Sequence, residues 1–292
     1  MTPPFDVAGE ASQSTPLVLC SPHSGAVYTD AFKQASKLDP DRLRKSEDCF
    51  VDDLFSGALD HGAVLLSARF PRAYLDVNRE PFELDPLLIS PIPAHANTSS
   101  IRVAGGLGTI ARIVAEGEEI YGTTLPLSVA MARIDHLYRP FHAKLRQLLN
   151  RTASAYGHAV LIDCHSMPSS VMSTAIRTRG RSAQRPDIIL GDRHGSSCEP
   201  GLIALVQEAF QKAGFEVHRN RPYAGGYITE HYGRPHRDTH ALQIELNRGL
   251  YLDERRFQRT TRFAPLRGQI TQILGEVVAE LPALFGGRMA AE

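Results

Sequence analysis

The stretch that decides the fold is Val160-Leu161-Ile162-Asp163-Cys164-His165-Ser166-Met167-Pro168. An apolar, strand-forming run leads directly into an acid, a thiol, an imidazole and a hydroxyl, and the proline then ends any regular structure. α/β enzymes deliver reactive side chains to the carboxyl edge of a sheet in this way. The stretch therefore predicts a central strand that ends at a functional site.

Two further stretches have the same design. The run Leu17–Cys20 leads into Ser21-Pro22-His23, and the run Ala241–Leu246 carries Glu245 close to its end. A catalytic zinc ion takes three protein ligands from His, Asp or Glu and keeps a fourth position for water. Two histidines and one glutamate at strand ends are the parts of such a site. We therefore predict a hydrolytic zinc site.

His23 and His165 need one carboxylate to complete the ligand set. Glu47 and Asp48 are the candidates, because they open a predicted helix, with Ser46 as its N-cap, that must pack beside the first strand. The alternative is that each histidine only hydrogen-bonds a loop, which is common for partly buried histidines. Two histidines in matching positions at strand ends make the metal hypothesis about as probable as this alternative.

The composition describes an ordinary globular protein. The chain has 292 residues, with 32 basic and 32 acidic side chains, so no general attraction to nucleic acid or to an anionic membrane is expected. No run reaches the roughly 18 apolar residues that span a bilayer, and Met1–Thr15 lacks the features of a secretory signal. The four cysteines are far apart without a C-x-x-C pair. Reduced thiols in a cytoplasmic enzyme are therefore expected.

Strands alternate with helices along the chain, which predicts a single α/β domain over residues 16–292 with a mixed central sheet flanked by helices. Residues 1–15 are predicted to be a flexible tail. The other predicted strands are Ala63–Ala68, Asp187–Leu190 and Phe215–Asn220. The predicted helices are Asp39–His61, Leu127–Leu149 with a kink or break at Pro140, Gly201–Ala213 and most of Glu254–Leu284.

Arginines concentrate in two irregular segments. Residues 69–79 hold three arginines, an aspartate and an asparagine, which indicates an anion pocket, and Arg221 opens a glycine-rich loop. The proline-rich stretch from Pro81 to Ser100 has the length of an active-site lid. Glu245 lies on a strand that is apolar enough to be central. An ionised carboxylate there needs either an oppositely charged partner or a catalytic role. The alternative for Glu245 is an ion pair with an arginine such as Arg248.

Five motifs together resemble the N-formylglutamate amidohydrolases. They are S-P-H-S-G at 21–25, D-C-H-S-M-P at 163–168, G-D-R-H-G-S-S-C at 191–198, N-R-P-Y-A-G-G-Y-I-T-E-H-Y-G at 220–233 and H-A-L-Q-I-E-L-N-R at 240–248. The likeness extends from about Leu17 to Phe257. The resemblance implies a phosphorylase/hydrolase-like fold of the zinc-carboxypeptidase type. It also implies a relation in fold to the aspartoacylases and succinylglutamate desuccinylases.

The resemblance also implies roles for individual residues. His23 and His165 become metal ligands, Glu245 becomes the general acid/base, and Asn78-Arg79 becomes the clamp for a substrate carboxylate. The related enzymes carry a ligand glutamate three residues after the first histidine, where this chain has Ala26. The third ligand must come from elsewhere in the chain. We choose Asp48 over Glu47.

The implied reaction is the zinc-assisted hydrolysis of N-formyl-L-glutamate, a late step of histidine breakdown. Glu245 moves the proton, and Arg72 is predicted to stabilise the oxyanion. Arg79 and Arg221 are predicted to bind the two substrate carboxylates, and Tyr227 is predicted to close the glycine loop over the substrate. For Arg72 and Arg221, a solvated or fold-bracing role is about equally probable.

Two other functions stay open at this stage. The same zinc chemistry could act on another N-acyl acidic amino acid, such as N-formylaspartate or N-succinylglutamate. Alternatively, the chain could be a non-catalytic binding protein for small dicarboxylates. The ligand types also suit iron, cobalt or manganese, and neither a nucleic acid nor a membrane is expected as a partner. A glycine pattern at Gly106, Gly108 and Ala111 lacks the strand before it that a dinucleotide site needs.

Overall fold

A computed structural model of the chain describes residues 3–115, 117–170 and 185–286. The chain divides into two compact units, each assembled from three segments. The first unit comprises Met1–Asp6, Pro22–Cys49 and Ser67–Arg146. The second unit comprises Val7–Ser21, Phe50–Leu66 and Gln147–Glu292. The proposed domain boundaries at 16 and 292 stay a prediction.

The central sheet has seven strands in the order β1-β3-β2-β8-β11-β9-β10. These strands are β1 Phe5–Ala8, β2 Leu17–Ser21, β3 Val64–Ala68, β8 Ala159–Met167, β9 Ile188–Gly191, β10 Val217–Arg219 and β11 Thr239–Asn247. Strand β8 is parallel to both β2 and β11, whereas β9 is antiparallel to β11. The sheet is therefore mixed, and the predicted α/β class is confirmed.

The two longest strands of this sheet are buried almost throughout. All nine residues of β8 are buried, and so are eight of the nine residues of β11. The first four residues of β8 are all apolar, and so are Ala241, Leu242, Ile244 and Leu246 of β11, as expected for strands that are covered on both faces. The predicted strands at Leu17–Cys20, Ala63–Ala68, Asp187–Leu190 and Phe215–Asn220 are confirmed with bounds shifted by one or two residues.

Short strands pair in three small sheets outside the central one. They are β4 Ile89–Ser90 with β7 Leu125–Pro126, β5 Ile113–Ala115 with β6 Glu118–Glu119, and β12 Leu252–Asp253 with β13 Gln258–Arg259. The last pair occupies the beginning of the segment that the sequence predicted as mostly helical from Glu254. The helix there begins only at Phe263, because the hairpin uses the preceding residues.

Nine α-helices lie in the described part of the chain. They are α1 Asp30–Ala35, α2 Pro40–Leu43, α3 Val51–Phe55, α4 Ile101–Ala104, α5 Leu127–Arg133, α6 Arg139–Tyr156, α7 Pro200–Lys212, α8 Tyr227–Tyr232 and α9 Phe263–Phe285. Within the second unit, α9 packs against α7 and α3 through its apolar face. None of the described helices has both the length and the apolar character that crossing a membrane requires.

The long helix predicted from Leu127 to Leu149 is interrupted, as expected. Helix α5 ends at Arg133, a π-helical turn follows over Ile134–Tyr138, and α6 begins at Arg139. Pro140 lies in the first turn of α6, where its missing N–H is tolerated. Proline therefore marks the start of a new helix here.

The helix predicted over Asp39–His61 is wrong. The structure replaces it with α2, a 3-10 turn at Arg44–Ser46, α3 and a second 3-10 segment at Ser56–His61. Glu47 is extended, and Phe50 adopts a left-handed backbone with φ 62° immediately before α3. Glu47 and Asp48 therefore lie in a loop and not in the first turn of a helix, and Ser46 is not an N-cap.

The prediction of a flexible tail over residues 1–15 is wrong for part of that stretch. Phe5–Ala8 forms β1, an edge strand of the central sheet, and Glu10–Ser12 forms a 3-10 turn. The four cysteines form no disulfide, and all four are buried. Burial raises the pKa of the Cys198 thiol to about 12, and it raises the pKa of Cys20 and of Cys164 as well.

Candidate functional site

Four polar side chains form two neighbouring rows on β8 and β11. Side chains two residues apart point to the same face of a strand, so Asp163 pairs with His165 and Gln243 with Glu245. The parallel register places Gln243 opposite Asp163 and Glu245 opposite His165. All four side chains are buried, and Glu245 is 8% exposed. The site predicted at the ends of the central strands is thus assembled by strand register.

These side chains are linked by hydrogen bonds along each strand. The Nε2 of His165 lies 2.9 Å from Oδ1 of Asp163, and the Gln243 amide nitrogen donates to Oε1 of Glu245 at 3.0 Å. A carboxylate can only accept, so Nε2 of neutral His165 carries the proton and Nδ1 holds the lone pair. The orientations of His165 and Glu245 are each held by a side chain of their own strand.

The glycine-rich loop and helix α8 fasten onto the same two rows. The backbone N–H of Gly226 donates to Oε1 of Gln243 at 2.7 Å. The hydroxyl of Thr229 donates to Oδ2 of Asp163 at 3.0 Å. The loop approaches the sheet so closely that a Cβ on Gly191 would lie 2.6 Å from the carbonyl carbon of Ala224. Glycine at 191 is required by this approach.

His23 follows β2 and lies between two carboxylates. Its Nε2 is 2.8 Å from Oδ1 of Asp76, and its Nδ1 is 3.5 Å from Oδ2 of Asp48. The backbone N–H of Asp48 donates to the carbonyl of His23 at 3.0 Å, which ties the two loops together. All three side chains are at most 2% exposed as residues. His23, like His165, directs its Nε2 to an aspartate.

Asp76 collects several donors around its buried carboxylate. Besides His23, it accepts from Nε of Arg72 at 3.0 Å and from the backbone N–H of Asn78 at 2.8 Å, and Nη2 of Arg79 lies 3.6 Å away. Burial alone would raise the pKa of Asp76. The charges of Arg79 and Arg72 and the hydrogen bond with His23 outweigh burial and hold this pKa well below its usual range. Asp76 is therefore an ionised acceptor for the His23 ring.

His23, Asp48 and His165 form a group that could hold a metal ion. Each residue offers one ligand atom, and these atoms lie within 4.8 Å of one another. Ligands about 2.1 Å from a tetrahedral zinc ion are separated by about 3.4 Å. The 3.5 Å between Nδ1 of His23 and Oδ2 of Asp48 matches this separation. Two imidazole nitrogens and one carboxylate also match the ligand chemistry of catalytic zinc, so the residues fit a metal ion.

Glu47, the alternative to Asp48, has other partners. Arg44 donates to its two carboxylate oxygens at 3.0 and 3.1 Å, and the Tyr28 hydroxyl donates to it at 3.0 Å. These bonds use both oxygens of a side chain that is 2% exposed. Between the two neighbouring acids, Asp48 is the one grouped with the histidines.

Two of the three arginines in the segment 69–79, Arg72 and Arg79, brace the fold around Asp76. Arg72 pairs with Asp76, and Arg79 donates to the backbone carbonyls of Leu107 and Asn78 at 3.0 and 2.8 Å. Burial lowers the pKa of Arg79 to about 10, against the opposing charge of Asp76, so Arg79 stays protonated at neutral pH. Both guanidinium groups are therefore held in place from within the first unit.

The predicted residues of the second arginine segment lie on or near helix α8. Arg221 is exposed and makes no hydrogen bond or ion pair to any residue that the structure describes. Tyr227 is the first residue of α8, and its ring stacks on His231 with centroids 5.0 Å apart. Arg248, proposed as a partner for Glu245, donates to the hydroxyl and the carbonyl of Ser166.

The sequence-based prediction missed the residues that hold the side chains of the candidate site. Asp76 was quoted only as part of a motif, and Asp163, Gln243 and Thr229 received no role. A signal was available for two of them, because Asp163 and Gln243 each precede a predicted functional residue by two positions on the same strand face. Nothing in the sequence pairs Asp76 with His23, which is 53 positions away.

Comparison with known proteins identifies similar sequences. A family model described as N-formylglutamate amidohydrolase matches residues 15–252. The N-formylglutamate deformylase of Pseudomonas putida is 29% identical over 242 residues, which cover 82% of this chain and 82% of the relative. The N-formylglutamate deformylase of Pseudomonas aeruginosa is also 29% identical over 242 residues, or 82% of this chain and 83% of the relative.

Two solved structures are similar over most of the chain. The crystal structure of N-formylglutamate amidohydrolase from Ralstonia eutropha JMP134 has a TM-score of 0.87 at 34% identity, covering 96% of this chain and 99% of that one. A gene product from Agrobacterium tumefaciens, at 18% identity and a TM-score of 0.68 over 96% of this chain and 95% of that one, shares the fold. By the match over residues 15–252, this chain belongs to the N-formylglutamate amidohydrolase family.

Proposed function

We propose that this chain hydrolyses N-formyl-L-glutamate to formate and L-glutamate with the help of one divalent metal ion. The single observation that carries the proposal is the grouping of His23, Asp48 and His165, with Glu245 opposite His165 in the strand register. The names and similarity of the relatives support the substrate. The family relation makes the reaction class an amidohydrolysis.

His23, Asp48 and His165 would hold the ion, which we propose is zinc. When bound, such an ion acidifies a water molecule and polarises a carbonyl group. The chain prepares the site for it in two ways. Asp76 and Asp163 accept from Nε2 of the two histidines, which fixes the orientation of both rings. Burial of all three ligands keeps competing water away.

Glu245 would carry the proton. Its carboxylate accepts the proton of the attacking water while the water oxygen bonds to the formyl carbon, and it then gives the proton to the amide nitrogen as the C–N bond breaks. The Gln243 amide holds the charged carboxylate in one orientation at 3.0 Å. A positioned base of this kind contributes about 100-fold to 10,000-fold to the rate.

Arginines would recognise the negative charges. Arg72 is proposed to stabilise the oxyanion, while Arg79 with Asn78 and Arg221 are proposed to bind the two substrate carboxylates. The guanidinium group of Arg221 is exposed and has no partner among the described residues, which supports its proposed role in binding a carboxylate. Tyr227, which begins the helix after the glycine loop, is proposed to close over the substrate.

The test is formate release by the purified protein from N-formylglutamate, with the Glu245→Gln variant beside wild type. Glutamine has the size of glutamate and keeps an oxygen for the Gln243 amide, so the fold should be retained. We expect kcat to fall by about 100-fold to 10,000-fold while the bound metal per chain is unchanged. A variant that turns over within threefold of wild type would remove Glu245 from the mechanism.

A matched control and a substrate panel sharpen the test. Glu208 lies exposed on α7 and pairs with Lys212, so Glu208→Gln should leave formate release unchanged. N-formylaspartate and N-succinylglutamate, supplied at equal concentration, distinguish the proposed substrate from other N-acyl acidic amino acids. Removal of the metal with a chelator should abolish turnover, and added zinc should restore it. A chelated enzyme at full activity would contradict the metal requirement.

A further inference from the structure

A cavity of about 650 Å³ lies in the first unit, and none of the proposed catalytic residues lines it. Its lining is mostly apolar and aromatic, with Phe32, Phe70, Pro71, Tyr74, Val129 and Leu137 among the contributors. The ring of Phe32 meets that of Tyr74 edge to face with centroids 5.0 Å apart, which makes this wall stiff. The volume falls in the range of small-molecule sites.

The two arginines that line this cavity are both cations. Arg69 and Arg133 contribute to the lining together with His136, and no aspartate or glutamate of the described residues does. Arg69 has an exposed partner in Asp6 at 3.6 Å. An apolar cavity with only basic groups complements a ligand that has an apolar body and a negative charge.

Arg133 is the strongest element of this site. It is only 5% exposed, its guanidinium carbon lies 3.8 Å from the centroid of the Tyr74 ring, and Nη1 donates to the Tyr74 carbonyl and the Tyr121 hydroxyl. No carboxylate in the described part of the chain pairs with Arg133, and its Nε has no hydrogen-bond partner there. A buried charge normally has a counter-charge, so this cation lacks the anion that would complete it.

We propose that this cavity binds a small organic carboxylate with an apolar chain or ring, with its carboxylate directed to Arg133. The apolar walls would take the body of the ligand out of water, which stabilises the complex in proportion to the buried area. The arginine fork would supply charge-assisted hydrogen bonds from a guanidinium group that is itself buried. This inference does not depend on the reaction proposed above.

Octanoate is the probe, titrated into the full-length, metal-loaded protein by isothermal titration calorimetry, with octanamide as its uncharged counterpart. We expect saturable binding of octanoate that is about tenfold or more tighter than that of octanamide, because a hydrogen bond to a charged group is lost with the amide. N-formylglutamate at saturation should not displace octanoate, since the cavity shares no lining residue with the proposed catalytic site.

Two variants locate the binding. Arg133→Met removes the cation, and Ala132→Trp fills the cavity from an exposed position while leaving Arg133 and its tyrosine contacts intact. Each should weaken octanoate binding at least about tenfold. Arg139→Met is the control, because Arg139 is exposed, pairs with Asp135 and lies outside the lining.

The second variant keeps the proposal testable if Arg133→Met fails to fold. Loss of binding in Ala132→Trp together with retention in Arg139→Met supports the site. Undetectable octanoate binding by wild type, equal affinity for octanamide, wild-type affinity in the folded Ala132→Trp variant or displacement by N-formylglutamate would each overturn it.

Discussion

Replacing Asp163 by asparagine should weaken metal binding without unfolding the protein. Asp163 is fully buried and accepts from Nε2 of His165 at 2.9 Å and from the Thr229 hydroxyl at 3.0 Å. Asparagine has the same shape, and its oxygen can still accept from His165. The Thr229 hydroxyl can rotate to accept from the new amide, since a hydroxyl both donates and accepts. The variant therefore loses the negative charge behind the ring while both hydrogen bonds are preserved.

The expected magnitude follows from this single loss. A carboxylate behind a ligating histidine raises the basicity of the ring, and its removal costs about 10-fold to 100-fold in metal affinity. That range corresponds to about 1.4 to 2.7 kcal/mol of binding free energy at 25 °C. The unfolding free energy of the metal-free protein should change by less, because the hydrogen bonds to His165 and Thr229 are both preserved.

The assay is a competition titration of zinc against a chromophoric chelator, with urea unfolding of the metal-free protein measured in parallel. Asp192→Asn is the matched control, because Asp192 is also buried and hydrogen-bonded but follows β9 and contacts neither histidine. Its zinc affinity should equal that of wild type. Equal zinc affinity in Asp163→Asn and wild type would refute the role assigned to Asp163, and with it the choice of Nδ1 of His165 as the ligand atom.

Four other substitutions test the contacts that support the site and the fold. Gln243→Leu removes the amide that donates to Glu245. Steady-state assays should therefore show that kcat falls by about tenfold or more, with a smaller change in KM. An unchanged kcat would contradict this prediction. Gly191→Ala places a Cβ 2.6 Å from the backbone of the facing loop, and thermal unfolding should reveal a loss of about 1 to 3 kcal/mol. In contrast, Gly268→Ala in open space on α9 should stabilise by up to about 1 kcal/mol. Burial, the largest cause, raises the pKa of Asp52 in the folded protein. The stability that Asp52 contributes is therefore present below its pKa of about 3.9 in the unfolded chain. This stability is lost as the pH rises through the pKa in the folded protein. The stability advantage of Asp52→Asn over wild type, measured by urea unfolding, should therefore increase from pH 4 to pH 7. An advantage that decreases over this range would contradict the prediction.

Much of the architecture could be predicted because its signals are local. The runs at 17–20, 160–162 and 241–246 are apolar enough to identify buried strands without knowledge of their neighbours. A polar residue directly after such a run lies at the end of the strand, and parallel strands bring their carboxyl ends to one edge of the sheet. His23, His165 and Glu245 could therefore be singled out from their places relative to the strands.

Where local signals conflicted with tertiary contacts, the prediction failed. The apolar spacing between Asp39 and His61 is helical, yet Phe50 takes a left-handed backbone and the segment breaks into short turns. Residues Phe5–Ala8 have a polar and proline-bearing context, but an open sheet edge recruits them into a strand. In both cases contacts with distant segments outweigh a weak intrinsic preference.

The sequence by itself determined the sheet-forming runs, the α/β class and the types of side chain at the strand ends. Only the tertiary structure decided which acid joins the histidines, because Asp48 and Glu47 are neighbours in sequence and differ in the partners that folding brings to them. The same holds for Asp76 behind His23 and for the cation of Arg133 beside an apolar cavity. Hydrophobic periodicity is a property of adjacent residues, whereas the partner of a buried charge is set by strand register and loop packing between residues far apart in the chain.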